Sequence, residues 1–409
     1  MQGFRPKARF VAVVGCVVAV FLATACSSAE DDSGSAMTLK IGLISDITGD
    51  FSPNYTHIAE VAQAWTDWVN DTQGGVNGHP VELIVKDTKS QQTAAAGMAR
   101  ELVESDDVAA VFVQSGTAQP LIWEYLDSQG VPLIGGNNGT VGPDTPSTFF
   151  TIDIGFPAIS EAGAVVANLA GADSIAAAVC AEVAGCQSIG ETLGEFAPTV
   201  GVEDRGVVTI ARTATSATAQ CLALVDSGAE IVATFLSLVP TQRLIESCKG
   251  QGFTGRFMNV GATTQATFDE LGTDPILGVM YDFPWWSDAD PVVQFREVME
   301  EHGVSEYRSF SSTNLWALLQ LFAYALEESG PEGDATVTGP AVVEALRSAV
   351  QGVTLDGLLP QPITFSESGN TEVACFWAIE RQGDGSFTTL EGSGESGNGV
   401  KGDLASVCS

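Results

Sequence analysis

Positive charge is scarce in this sequence. The 409 residues hold 17 Lys and Arg against 51 Asp and Glu, a formal net charge of −34. Nucleic-acid backbones are held by clustered Lys and Arg, so nucleic acid is excluded as a partner. The acid excess reads as a solvated surface that keeps the chain soluble. Histidine is scarcer still, with His57, His79 and His302 standing far apart. There is no GxSxG, HExxH or GxxxxGK[ST] to support hydrolytic or nucleotide-dependent catalysis. A metal site finds no CxxC and no Cys/His cluster. The chain therefore reads as a non-enzyme without a cofactor or metal. Past residue 22 no stretch reaches the roughly 18 apolar residues that a membrane span requires.

The N-terminus is of another kind. Arg5, Lys7 and Arg9 precede a nearly all-apolar run over 10–22, too short to span, and Leu22-Ala23-Thr24-Ala25-Cys26 follows. That order is a signal peptide over 1–25. Small residues before a cysteine suit a bacterial lipoprotein signal, with lipid carried on Cys26; the plainer alternative is a chance cysteine near an ordinary cleavage site. Residues 26–38 are a polar, acidic tether. Removing the 25 residues from 409 leaves 384, enough for two domains, and losing their three positive charges takes −34 to −37. Cys16 leaves with the signal. Six cysteines remain outside the cytoplasm, an even number that suggests disulfides, with fifteen pairings open. Closeness in sequence favours Cys180 with Cys186, Cys221 with Cys248, and Cys375 with Cys408.

The stretch 70–117 sets the architecture. Val81, Leu83 and Val85 alternate with Glu82, Ile84 and Lys86 after a turn-rich Gly74-Gly75-Val76-Asn77-Gly78. Ala95, Met98, Ala99, Leu102 and Val103 recur at helical spacing, 108–113 is an apolar strand, and Gln114-Ser115-Gly116-Thr117 opens the next helix. Strand, helix, strand in this span is a βαβ unit and implies a parallel sheet. Ligands sit past the carboxyl ends of such strands, so the loop at Ser115 is the first candidate site. Strands over 39–44 and 131–134 and a helix over 55–69 complete a first α/β series. A second runs from about 159 to 281. The segments 292–301, 313–328 and 340–350 are helical by period. Three strands without helices between them close the chain, and 383–402 is Gly/Ser/acidic and expected to be loose.

The order and spacing of Ile41-Gly42-Leu43, Thr48-Gly49, Gly74-Gly75-Val76-Asn77-Gly78, Asp87, Ala99-Arg100-Glu101-Leu102-Val103 and Gly130-Val131-Pro132-Leu133-Ile134 resemble the branched-chain amino acid (Leu/Ile/Val) binding-protein family. These are substrate-binding lipoproteins of ABC importers with the type I periplasmic-binding fold. The resemblance covers about 40–381 and is stronger over the first half. It implies an α/β fold of two Rossmann-like lobes joined by a three-segment hinge. The first lobe would hold 39–154 and 284–353, the second 155–283 and 355–409. It also implies a small-molecule ligand, ABC permease subunits as partners, a monomer, and a place on the outer face of the cytoplasmic membrane. A ligand sensor of the same fold, signalling to a membrane partner, is the alternative.

In that family the loop matching Ser115, Gly116 and Thr117 holds the ligand carboxylate, as a helix N-terminus is suited to do; capping alone would also explain Ser115 and Thr117. The next loop supplies Asn137, Asn138, Gly139 and Thr140. Tyr55 falls near a pocket tyrosine, or starts a helix and packs locally. The second lobe departs from the family pattern. An acid expected near the first crossover is replaced by Phe156, with Asp153 too early, and one expected after Val260 is replaced by Gly261. Gln187 and Leu238 stand where aromatic residues are usual. A buried ammonium without a counter-charge is costly, so the expected ligand is a carboxylate or amide with an apolar or aromatic body rather than a free α-amino acid. Trp285 either lines the cleft or packs the hinge with Trp286.

Overall fold

The computed structural model describes residues 36–409, except 50, 56, 116–117, 137–144, 183, 261–263, 273–274, 368–371 and 393–395. Cys26 lies outside the described residues. Strand and helix alternate from the start: β1 (Leu39–Ser45), α1 (Ile58–Gln73), β2 (Val81–Asp87), α2 (Gln92–Glu104), β3 (Ala110–Gln114), α3 (Gln119–Ser128), β4 (Leu133–Gly135) and β5 (Phe149–Phe150). The five strands form a parallel sheet in the order β2-β1-β3-β4-β5. β3 is central and every residue of it is buried, which is why Ala110 to Val113 is an unbroken apolar run. β2 lies at the edge and can carry Glu82 and Lys86. On α1, Ile58, Val61, Ala62, Trp65 and Val69 form the inward face.

A second α/β series follows: α4 (Phe156–Leu169), β6 (Ser174–Cys180), α5 (Ala184–Phe196), β7 (Glu203–Ile210), α6 (Thr218–Ser227), β8 (Ile231–Phe235), α7 (Leu238–Gln251), β9 (Arg256–Asn259), α8 (Gln265–Leu271) and β10 (Ile276–Met280). Then α9 (Asp290–Glu301), α10 (Phe310–Ser329) and α11 (Gly339–Ala349) return to the first lobe, where α10 packs on α1, α11 and β4. β11 (Gln351–Val353) and β12 (Ile363–Thr364) make a small antiparallel pair. β13 (Cys375–Arg381), β14 (Phe387–Thr389) and β15 (Val407–Cys408) finish the second sheet, ordered β14-β13-β10-β9-β8-β6-β7 with β15 on β13. The result is an α/β fold of two lobes, as expected, with the chain passing between sheets after β5, after β10 and after α11.

The three disulfides are Cys180–Cys186, Cys221–Cys248 and Cys375–Cys408, the pairing expected from closeness in sequence. All three lie in the second lobe. The segment 383–402, expected to be loose, is instead folded among its described residues. β14 pairs antiparallel with β13. Asn398 is buried, and its Nδ2 donates to the carbonyls of Gly357 at 3.2 Å and Leu404 at 2.9 Å. The Ser406 hydroxyl donates to the Pro360 carbonyl at 2.6 Å. Order here comes from side-chain-to-backbone bonds and a cross-link, which composition does not register.

Candidate functional site

A cavity of about 230 Å³ opens past the carboxyl ends of β1, β3, β4 and β5, against the end of β10 and the start of α10. Ser115, Gly136 and Asp153 stand one to three positions beyond β3, β4 and β5, Asn54 and Tyr55 come from the connection after β1, and Ile159, Phe310 and Asn314 from α4 and α10. The register of β1 on β3 sets Ser45 beside Gln114, so the next residues, Asp46 and Ser115, stand together. Ser115 Oγ donates to Asp46 Oδ2 at 2.8 Å and accepts the Ala118 N–H at 3.2 Å. The hydroxyl of Thr88 donates to the other oxygen of Asp46. At the end of β4, Gly136 lines the cavity with φ +78°, and a Cβ there would press on Val113 and Gln119 at 3.2 Å.

A hydrogen-bonded chain closes the floor. Gln114 Nε2 donates to Asn314 Oδ1, and Asn314 Nδ2 donates to Asp282 Oδ1, each at 2.8 Å. Asn314 reaches this place because α10 is buried along nearly its whole length, with the Ser309 hydroxyl accepting the Ser312 N–H at its start. Asp282 follows β10 by two residues, next to Tyr281, whose hydroxyl donates to the Val260 carbonyl at 3.3 Å. Tyr55 meets Phe310 edge-on, with ring centroids 6.3 Å apart. Asp153 lies beyond β5 and faces the same cavity.

Two acids, Asp153 and Asp282, line the cavity. Burial first, then the Asp153 carboxylate, push the Asp282 carboxyl well above the usual carboxylate range, opposed by the bond from Asn314. Burial, Asp153 and Asp282 raise the Tyr281 phenol; burial, Asp153 and Asp46 raise that of Tyr55. Among the described residues no Lys, Arg or His lines the cavity. Arg308 and His57 belong to a separate hollow of about 200 Å³ beyond Asn54, shared with Glu306. A larger hollow of about 320 Å³, around Phe253 and Arg256, sits at the amino ends of β8 and β9, away from the strand ends where α/β sheets take ligands.

Of the residues named from the sequence, Ser115 and Tyr55 line this cavity. Gly116, Thr117, Asn137, Asn138, Gly139, Thr140 and Gly261 lie outside the described residues, as does the side chain of Phe156. Three others are not brought to the cavity. Gln187 is exposed on α5, its Nε2 donating to Glu191 Oε1 at 3.4 Å. Leu238 opens α7 and packs half-buried on the core. Trp285 is buried, its ring 5.2 Å from Trp286 and 5.6 Å from Phe387, so it packs the hinge. The expectation of a cavity without acids is also overturned, since Asp153 and Asp282 both line it. Asp282 is absent from the residues named from the sequence; its place just past the apolar run 276–280 was the available signal. Asn314 carried another signal, as an amide directly before the apolar run 315–319 of α10.

The sequence profile of the periplasmic binding protein family matches residues 38–386. No curated protein matches the chain. Solved structures share its fold at low identity. A leucine-binding protein from Thermotoga maritima superposes with a TM-score of 0.68 at 17% identity, covering 87% of this chain and 98% of that one. A branched-chain amino acid ABC transporter protein from Silicibacter pomeroyi gives 0.72 at 14%, covering 90% and 99%. A solute-binding protein of R. palustris in complex with benzoate gives 0.60 at 14%, covering 91% and 98%.

Proposed function

The chain belongs to the periplasmic binding protein family, and on that premise we propose that it is the solute-binding subunit of an ABC importer. It captures a small organic solute between two closing lobes and presents it to permease subunits. The observation that carries this reading is the 230 Å³ cavity built from strand-end residues of the first sheet and from Tyr281 and Asp282 of the second. The lobes are taken as 39–154 with 284–353, and 155–283 with 355–409. Gly116, Thr117, Asn137, Asn138, Gly139, Thr140 and Gly261, which follow β3, β4 and β9 in sequence, are kept as candidate ligand residues on this reading.

The signal over 1–25 and Cys26 support a lipoprotein held by a tether over 26–38 on the outer face of the cytoplasmic membrane, acting as a monomer. Among the described residues no helix is long and apolar enough to cross a membrane. No group positioned for bond-making chemistry is needed for this role, and binding without turnover is the expected behaviour. The earlier preference for a carboxylate solute is set aside, because a carboxylate entering the cavity would meet Asp153 and Asp282. A thermal-shift screen of amines, amides, acids and amino acids tests the capture reading, since a solute that binds the folded state raises its melting temperature. A hit is expected to lower the radius of gyration in solution scattering. Absence of any hit across all four charge classes would count against solute capture itself.

A further inference from the structure

We infer that the cavity takes a small organic cation, an amine or quaternary ammonium, and selects against carboxylates and zwitterionic α-amino acids. This rests on the solute-capture reading and names the class of solute. The place is fixed by the cavity at the strand ends; its walls decide the charge. Asp153 and Asp282 line it, and Asp46 stands directly behind Ser115. No Lys or Arg lies among the described lining residues, nor does the sequence place one at 116–117, 137–144 or 261–263.

Four side-chain donors of the wall are turned toward protein acceptors. Ser115 Oγ gives its proton to Asp46, the Gln114 amide to Asn314, the Asn314 amide to Asp282, and the Tyr281 hydroxyl to the Val260 carbonyl. An arriving carboxylate would therefore compete with the Asp46 and Asp282 side chains for the Ser115 and Asn314 protons, whereas an ammonium meets oxygen acceptors already oriented. Tyr55, Tyr281 and Phe310 add aromatic walls, and rings beside carboxylates are the surroundings that hold organic cations.

Proton linkage follows from the same geometry. The charged and titratable groups around Asp282 are Asp153 from the first crossover, Tyr281 beside it, and Tyr55 with Asp46 behind from the β1–α1 side. In the empty cavity, burial and Asp153 favour a protonated Asp282. An ammonium beside it favours the carboxylate, so cation binding releases a proton.

The test uses the mature lipid-free chain and three probes of matched shape: benzylamine, benzyl alcohol and benzoate, compared by calorimetry at equal ionic strength. Benzylamine is expected to bind about tenfold or more tightly than benzyl alcohol, with benzoate weakest. Asp153→Asn and Asp282→Asn, separately, are expected to weaken benzylamine by a larger factor than benzyl alcohol. Benzoate binding as well as benzylamine, benzylamine no better than benzyl alcohol, or full benzylamine affinity in both variants would each overturn the inference. Any of these leaves solute capture standing, because capture fails only if no solute of any charge stabilises the chain.

Discussion

Asp282 is buried beside a second carboxylate, and the cost of its charge is met by keeping its proton. A group whose folded pKa lies above its unfolded value contributes stability that is fully present below the unfolded value. That contribution is lost as pH rises through the folded pKa. The window for Asp282 thus begins near 3.8 and extends upward. Asp282→Asn keeps the Asn314 bond and removes the titration. Its melting temperature relative to the native chain should therefore rise steadily with pH across that window, read by calorimetric scans at several pH values. A constant difference would refute the assignment. Ser115 belongs to the same negative cluster but for stability. Ser115→Ala removes a buried hydroxyl bond to Asp46 and is expected to cost about 1–3 kcal/mol in urea unfolding. An unchanged midpoint would show that the hydroxyl can be spared.

At the scale of elements, β1, β3 and β4 were legible as apolar runs, β2 by its alternation, and α1 and α2 by their 3.6-residue stripes. The disulfide pairs were read from closeness in sequence alone, and the topology accounts for why closeness sufficed. Cys180 ends β6 as Cys186 begins α5, and Cys221 and Cys248 lie on the neighbouring helices α6 and α7. What could not be read is order that arises from distant partners. Asn398 finds Gly357 across 41 residues, and Gln114 finds Asn314 across 200. Neither leaves a periodic trace. The C-terminal strands depend on such contacts and on Cys375–Cys408, which joins opposed residues of β13 and β15. Replacing both cysteines by serine is expected to cost about 2–4 kcal/mol. Hydrogen exchange should speed up at β15 and around Asn398 while β1 and β3 keep their protection. Faster exchange spread evenly over both sheets would argue that the cross-link supports the whole second lobe.

At the scale of the whole molecule, two lobes and a formal net charge of −34 give the chain its long-range behaviour. The acid excess draws cations toward the protein, but surface attraction is screened by salt over about 10 Å at 0.1 M. Capture in the cavity is distinguished by surviving salt that abolishes diffuse attraction. Closing the lobes on an ammonium brings Asp153 and Asp282 around one positive charge, and the proton lost by Asp282 makes capture pH-dependent. Between the Asp282 pKa of the liganded chain and the higher one of the empty chain, affinity should rise with pH. Above that window it should level off. Calorimetry in two buffers of unlike ionisation heat should return different enthalpies, from which proton release is counted. The difference should vanish in Asp282→Asn. Leucine, whose carboxylate would face the same acids, should bind weakly or not at all and leave the radius of gyration unchanged. A sub-micromolar leucine constant would mean that the charge argument fails for the molecule as a whole.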